Sequence, residues 1–460
     1  MSEEILSDEA SEKIFNNTVE SDFGKVEELL DNGKEKASSN TTIFRGALMI
    51  TNICFGVTLF TFASRAIHFG LIWLIIFCII VGFITYWAMI RAVYVSSKDT
   101  SDDYSEITEK ILGKKWRYFL NFSIITCHYG IMMMYMVMIY SLLGRFIHAV
   151  GYTSDYPDFD NFSEEIWSRA YIKFPVYIGF TIGLSFMCLI KDINKLNFSA
   201  YIGVFSVVYS LIVVLIECSG YYKDSKEKYY KEDDESTHIN WINLGKAFTS
   251  KLEFFKGIAS LICATGCLPG TFPIYVGFKY QKDGYRKMKW TCILGMLMTI
   301  SIYVLSMVIS FITNPFQPDD VIIYRKSKGG NDIAMTIAKL CVTLSLVFTY
   351  PAVYFVVRLI VANSFTKGHI SKKFNILYTF ISCFICSVIA SVYDKILNYL
   401  NYIGGFLMVY NGYLIPVLLY IKINGKPFTY WKNILELIGG IIICLIGTIA
   451  GILTIIDDIS

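Results

Sequence analysis

The sequence predicts an all-α membrane protein, a bundle of about 11 transmembrane helices in two inverted five-helix halves. Three observations lead there. Of 460 residues, 54% are hydrophobic and only 17% charged, too little polar material to cover a soluble protein of this size. Apolar blocks long enough to cross a bilayer recur from Ile43 to Ile455 with short polar interruptions. Two of those blocks, the first and the sixth, carry residues that a continuous helix does not tolerate.

A hydrocarbon core about 30 Å thick needs roughly 20 apolar residues at about 1.5 Å rise per residue. Blocks of that kind fall at 43–62, 70–93, 116–146, 174–190, 198–217 and 254–278, then at 288–312, 333–361, 374–392, 396–421 and 434–455. The expected organisation is a tail at 1–42 and a membrane domain at 43–460. Within that domain one repeat covers about 43–217, a second about 254–421, and an extra helix about 434–455.

Loop charges orient the bundle, because Lys and Arg near span ends stay on the cytoplasmic side. Lys98, Lys110, Lys114, Lys115 and Arg117 follow the second span, and Lys279, Lys282, Arg286, Lys287 and Lys289 follow the sixth. Lys367, Lys372 and Lys373, then Lys422, Lys426 and Lys432, fall on the same side. Asp158, Asp160, Glu164, Glu232, Asp233 and Asp234 gather on the other, although lysines share the second of those loops. The N-terminus is therefore expected in the cytosol. The tail before Ile43 is rich in Asp and Glu and lacks a basic region leading into an apolar core, so it reads as a solvated cytosolic segment rather than a signal peptide.

Net charge is +3, which gives no reason to expect nucleic acid. Nearly all of the 12 cysteines sit inside apolar blocks, where core packing accounts for them better than a metal site or a disulfide framework. No HExxH, no GxSxG in a suitable context and no paired carboxylates occur, so an enzyme is not expected. A channel is disfavoured by the lack of a repeated pore loop.

The function lies in the two interrupted blocks. Asn52-Ile53-Cys54-Phe55-Gly56-Val57-Thr58 puts an amide, a glycine and a hydroxyl near the middle of the first. Thr265-Gly266-Cys267-Leu268-Pro269-Gly270-Thr271-Phe272-Pro273 puts two glycines and two prolines in the sixth. Non-helical backbone survives in a bilayer only where protein or a wet cavity surrounds it. Breaks at corresponding positions of two halves are the mark of an inverted-repeat transporter with its site at the midplane. Freed N–H groups suit a carboxylate and freed carbonyls a cation, which together match a zwitterionic amino acid. Gly56, lacking a Cβ, lets such a ligand reach the backbone.

The motifs resemble those of the amino acid/auxin permease family. The first span's Asn52-x-x-x-Gly56-x-Thr58-Leu59 followed by Gly70, the junction Leu189 to Leu196 with Ser199, and Cys267 to Tyr275 in the sixth span are similar to that family's pattern. So are Thr349-Tyr350-Pro351 with Arg358, and the Gly404 to Pro416 spacing, so the likeness runs from Asn52 to Pro416. Two departures are Ala63 where the family has proline and Leu268 where it has histidine. The resemblance implies a LeuT-type 5+5 inverted-repeat bundle that moves amino acids by alternating access, coupled to Na+ or H+. It implies a cation at Asn52 and Thr349; Ser345, one turn from Thr349, shares that face. The expected solute contacts are Gly56, Val57, Thr58, Tyr135, Thr265 and Gly266, with Arg358 as an inner gate. A transporter-like amino-acid sensor signalling through its tail is the alternative. The expected partners are an amino acid and the lipid of a plasma, vacuolar or lysosomal membrane, with no cofactor beyond the coupling ion.

Other ionisable residues within spans are functional candidates by default. Arg145, Glu217 and Lys339 lie close enough to span ends to reach the interface, and His128 reads as a satisfied core histidine, with a proton relay as the alternative. Met132 to Met138 are expected to face the site, where methionine adapts to apolar side chains.

Overall fold

The computed structural model describes residues 41–55, 58–99, 101, 103–152, 159–189, 197–220, 222–223, 251–279, 281–313, 321–324, 332–365, 372–393, 395–427 and 429–459. The first apolar block forms α1 (Ile43–Cys54) and α2 (Thr58–Phe69), two helices of 12 residues each. Thr42 caps α1, its hydroxyl accepting from the Arg45 N–H at 3.3 Å. Gly70 then turns the chain with φ +88° into α3 (Leu71–Lys98). A short amphipathic helix, α4 (Tyr104–Leu112), follows, and Gly113 at φ +99° leads into α5 (Lys114–Ile147). Next come α6 (Ala170–Cys188) and α7 (Asn197–Ile216).

The sixth block, like the first, is split into two helices, α8 (Lys251–Thr265) and α9 (Leu268–Lys279), followed by α10 (Gly284–Thr313), α11 (Ile333–Phe365) and α12 (Lys372–Val392). The tenth block begins as α13 (Ile396–Tyr402) and ends as α14 (Ile415–Ile423), with wide π turns between them. The last helix is α15 (Trp431–Ile459).

Among the described residues, nine helical stretches are long and apolar enough to cross a membrane. About eleven are expected from the sequence. The shortfall arises because Ile43–Cys54 and Tyr201–Ile216 are shorter apolar helices. At about 1.5 Å per residue, 12 residues rise only about 18 Å, so neither half of the first block crosses alone.

Small residues let the helices approach. Gly295 of α10 lies against Ile50 and Ala47 of α1, and the Thr51 hydroxyl donates to the Gly295 carbonyl at 3.2 Å. The π turns are similarly wedged: a Cβ on Gly404 would lie 2.0 Å from the Ala259 carbonyl of α8, and one on Gly405 would lie 2.6 Å from the Gly447 carbonyl of α15. Large apolar side chains such as Phe83 (67% exposed) and Val392 (77% exposed) point outward, as a lipid-facing belt requires.

The lysine-rich segments meet at one end of the bundle. Lys279 donates to the Ser101 carbonyl at 2.8 Å and the Gln281 amide to the Thr41 carbonyl at 3.3 Å. This end is called the basic face, and the opposite end the acidic face. Lys339, expected to reach an interface, is instead 3% exposed within the bundle. Arg145 lies between the rings of Phe159 and Tyr324, 4.3 and 4.5 Å from their centres, and donates to the Tyr324 carbonyl.

Candidate functional site

Both interruptions are present. α1 stops at Cys54, and Phe55 closes it by donating its N–H to the Thr51 carbonyl at 2.9 Å. Helix resumes at Thr58; Gly56 and Val57, two of the expected solute contacts, lie outside the described residues. In the sixth block Gly266 and Cys267 are not helical. Their N–H groups turn back onto the Cys263 and Thr265 carbonyls at 3.3 and 2.9 Å. Pro269 is the second residue of α9, where a missing N–H costs nothing. Pro273 sits one turn further, where it removes the donor that the Pro269 carbonyl would otherwise receive.

A helix that stops in an apolar interior leaves its last carbonyls without partners. Tyr303 of α10, fully buried, answers both breaks at once. Its hydroxyl lies against the Cys54 carbonyl and 2.7 Å from the Ala264 carbonyl. One hydroxyl carries one proton, so it donates to either carbonyl in turn and leaves the other with capacity to spare. The sequence reading missed Tyr303; its only signal was a hydroxyl within an apolar block. Ser306, nearly one turn on, donates to the Leu59 carbonyl at 3.0 Å, so α10 holds both sides of the first break.

Between the breaks lies a cavity of about 130 Å³. A void of about 150 Å³ admits a benzene-sized molecule, so a compact amino acid is the right scale. Its wall combines Asn52, Ile53 and Cys54 of α1, Thr58 of α2, His128, Met134 and Tyr135 of α5, Gly266, Cys267 and Gly270 of the sixth block, Thr349 and Val353 of α11, and Met408. No Asp, Glu, Lys or Arg side chain is among the described residues that line it. His128 sets its Nδ1 2.8 Å from the Ile124 carbonyl. An N–H at Nδ1 satisfies that carbonyl and leaves Nε2 as an acceptor. The expected core histidine is thus hydrogen-bonded, and it also faces the cavity.

Of the eight expected site residues that are described, the structure brings five together in the cavity wall and leaves three outside it. Thr58, Tyr135, Gly266, Asn52 and Thr349 share the cavity wall. Ser345 sits behind it: a Cβ built on Gly203 of α7 would lie 2.0 Å from Asn52 Oδ1 and 3.3 Å from Ser345 Oγ, so both oxygens crowd one glycine. Thr349 Oγ1 donates to the Ser345 carbonyl at 2.7 Å, which leaves its lone pairs for another partner. Thr265 turns away from the cavity and forms a strut, 3.0 Å from the Thr85 hydroxyl, which is itself 2.6 Å from the Tyr413 hydroxyl. Arg358 also lies apart from the cavity. Its Nη1 donates to the Cys188 carbonyl at 2.9 Å and so caps the end of α6.

Three of the described wall residues also line a second void. These are Pro269, Pro273 and Val356, and the void, of about 510 Å³, lies on the basic face beside Tyr104, Glu106 and Lys110. Tyr104 stacks on Phe272 at 4.3 Å and donates to the Asn411 carbonyl at 2.9 Å. Toward the acidic face the wall reaches no further than Thr58 in α2 and Cys263 in α8. Phe69, Phe77 and Phe254 pack together there, with ring centres 5.6 to 5.9 Å apart.

Apolar helices in a bundle, two of them broken around a charge-free central cavity, define an integral membrane protein built to handle a small solute. The sequence profile of the family described as "Transmembrane amino acid transporter protein" matches residues 39–457, and the chain belongs to that family. Over 106 residues it is 26% identical to the human protein described as "Putative sodium-coupled neutral amino acid transporter 11", a stretch covering 23% of this chain and 26% of that one. The similarly named proteins of Macaca fascicularis and Bos taurus match at the same identity over 106 residues, covering 23% of each. The aligned stretch thus spans about a quarter of the relatives' length.

Proposed function

We propose that the chain is a secondary carrier of neutral amino acids that works by alternating access, with solute and coupling ion bound between the two breaks. The observation that carries this reading is the meeting of both broken blocks at one cavity without charged side chains, with carbonyls of both held by Tyr303. The ends of α1 and α8 present partial negative charge and suit the solute ammonium. The starts of α2 and α9 present partial positive charge and N–H groups, which suit its carboxylate. The remaining wall, rich in methionine, isoleucine and valine, accepts an apolar side chain and would leave a charged one desolvated without a partner.

Asn52 Oδ1, Ser345 Oγ and Thr349 Oγ1 are the residues that would hold a coupling cation. Neutral hard oxygens suit Na+, and carbonyls freed at the first break complete such a set. His128 is the alternative carrier of a coupling proton, since it lines the cavity and its Nδ1 contact leaves Nε2 as an acceptor. The void on the basic face shares Pro269, Pro273 and Val356 with the central cavity, which by the distribution of Lys and Arg favours a form nearer to opening on the cytosol. Return to the other side requires the route past Phe69 and Phe254 to open as the inner one closes.

Purified protein in liposomes, given a panel of amino acids under imposed sodium and proton gradients, tests the reading. Concentrative uptake of small neutral amino acids driven by one gradient is expected. Uptake limited to charged amino acids, or none with folded protein, overturns it. Asn52→Ala is expected to abolish sodium drive; drive by the proton gradient that survives Asn52→Ala and is lost with His128→Gln assigns the coupling to His128.

A further inference from the structure

We infer that the last helix is part of the closure on the acidic face, with Asp457 acting as a latch on the outer half of the broken sixth block. Where the central cavity ends, an alternating chain of charges joins three helices. Asp457 Oδ2 of α15 lies 2.6 Å from Lys256 Nζ of α8. Lys256 is also 3.7 Å from Glu253 Oε1, and Glu253 Oε2 is 3.4 Å from Arg65 Nη1 of α2. Arg65 Nη2 then reaches Asn401 Oδ1 of α13 at 3.3 Å, and that oxygen also accepts from Ser260 of α8 at 2.9 Å. Arg65 is 5% exposed, Lys256 8% and Asn401 fully buried, while the Asp457 side chain is 47% exposed, so the chain of charges runs from the interior out to the edge of the acidic face.

Helix energetics give no reason for this placement. A cation in the opening turns of α8 and a carboxylate in the closing turn of α15 each sit at the end that the helix dipole disfavours. Their pairing is therefore a contact between elements. α2 and α8 are the outer halves of the two broken blocks, the parts that must separate for a route to the acidic face. Opening that route must break or stretch the chain of charges, and Asp457 ties it to a helix outside the two five-helix halves. The far end of α15 is pinned separately, where Glu436 pairs with Arg91 of α3, 21 residues and about 32 Å away.

The functional meaning of this latch rests on the alternating-access reading. Its test uses native reporters, because Cys263 and Cys267 line the central cavity. Full-length protein is placed in liposomes of determined orientation. A membrane-impermeant methanethiosulfonate is added on the acidic face, and labelling of these two cysteines is followed by peptide mass spectrometry. Asp457→Asn, a change at a half-exposed position, is expected to speed labelling several-fold per folded molecule. The exchange of Lys256→Asp with Asp457→Lys should return the rate toward that of the parent. An unchanged rate in Asp457→Asn overturns the latch, as does a loss of thermal stability with no change in rate. An exchange that labels as fast as the single variant assigns the effect to packing and overturns it too. Protection of the same cysteines by amino acids tests the carrier reading separately: if no amino acid protects them, that reading fails while the latch is still measured.

Discussion

Tyr303 is the residue on which the site's geometry turns, since its one hydroxyl serves carbonyls from both breaks. Tyr303→Phe keeps the ring and its edge contact with Phe62 but removes the donor. Leaving buried carbonyls unsatisfied costs about 1–3 kcal/mol. The expected result is transport lowered at least about tenfold, about 1.4 kcal/mol, with protein still folded, as measured by uptake beside size-exclusion behaviour. Gly203 offers a second test, because a Cβ there would strike Asn52 Oδ1. Gly203→Ala is expected to raise the cation concentration needed for half-maximal uptake about tenfold while changing the solute requirement less. Equal effects on both would show that the substitution disturbs the bundle rather than the oxygen cluster.

At the scale of elements, the π turns are places where backbone approaches backbone too closely for side chains to stand between. Gly404 faces the carbonyl of Ala259 in α8, and backbone cannot yield as a rotamer can. Gly404→Ala is therefore expected to lower stability by about 1–3 kcal/mol, measurable as a fall in Tm of the purified protein. Gly266 differs, because what presses on it is the flexible Met408 side chain. Gly266→Ala should be tolerated in folding and read out in solute affinity, since Met408 must swing within the cavity wall. A folding defect larger than that of Gly404→Ala would contradict this ordering.

For the whole molecule, α15 is tied at two places, to α8 through Asp457 and Lys256 and to α3 through Glu436 and Arg91. Arg91 and Glu436 pair through the guanidinium, which also lies 4.3 Å from the Tyr420 ring. Glu436→Gln removes one partner of a largely buried pair. A loss of about 1–3 kcal/mol is expected, at the lower end because Arg91 keeps some solvent contact. A Tm within error of the parent would show that the Tyr420 and Trp87 rings suffice to hold Arg91.

Hydropathy, loop charge and the glycine and proline clusters determined by themselves that this is a helical membrane protein with its first and sixth blocks broken. Those properties are local: a proline forbids a helical hydrogen bond wherever the chain goes, and about 20 apolar residues span a bilayer whatever surrounds them. That Asn52, Thr58 and Gly266 would lie near one cavity was legible because a break marks each, whereas Tyr135 and Thr349, within continuous helices, were marked only by the resemblance. Only the tertiary structure decided that Thr265 points to Thr85, that Arg358 caps α6, that Gly203 adjoins Asn52, and that Tyr303 and Asp457 meet partners from distant blocks. Which way a side chain faces in a bundle depends on the neighbour it packs against, and that neighbour is chosen by the fold rather than by adjacent residues.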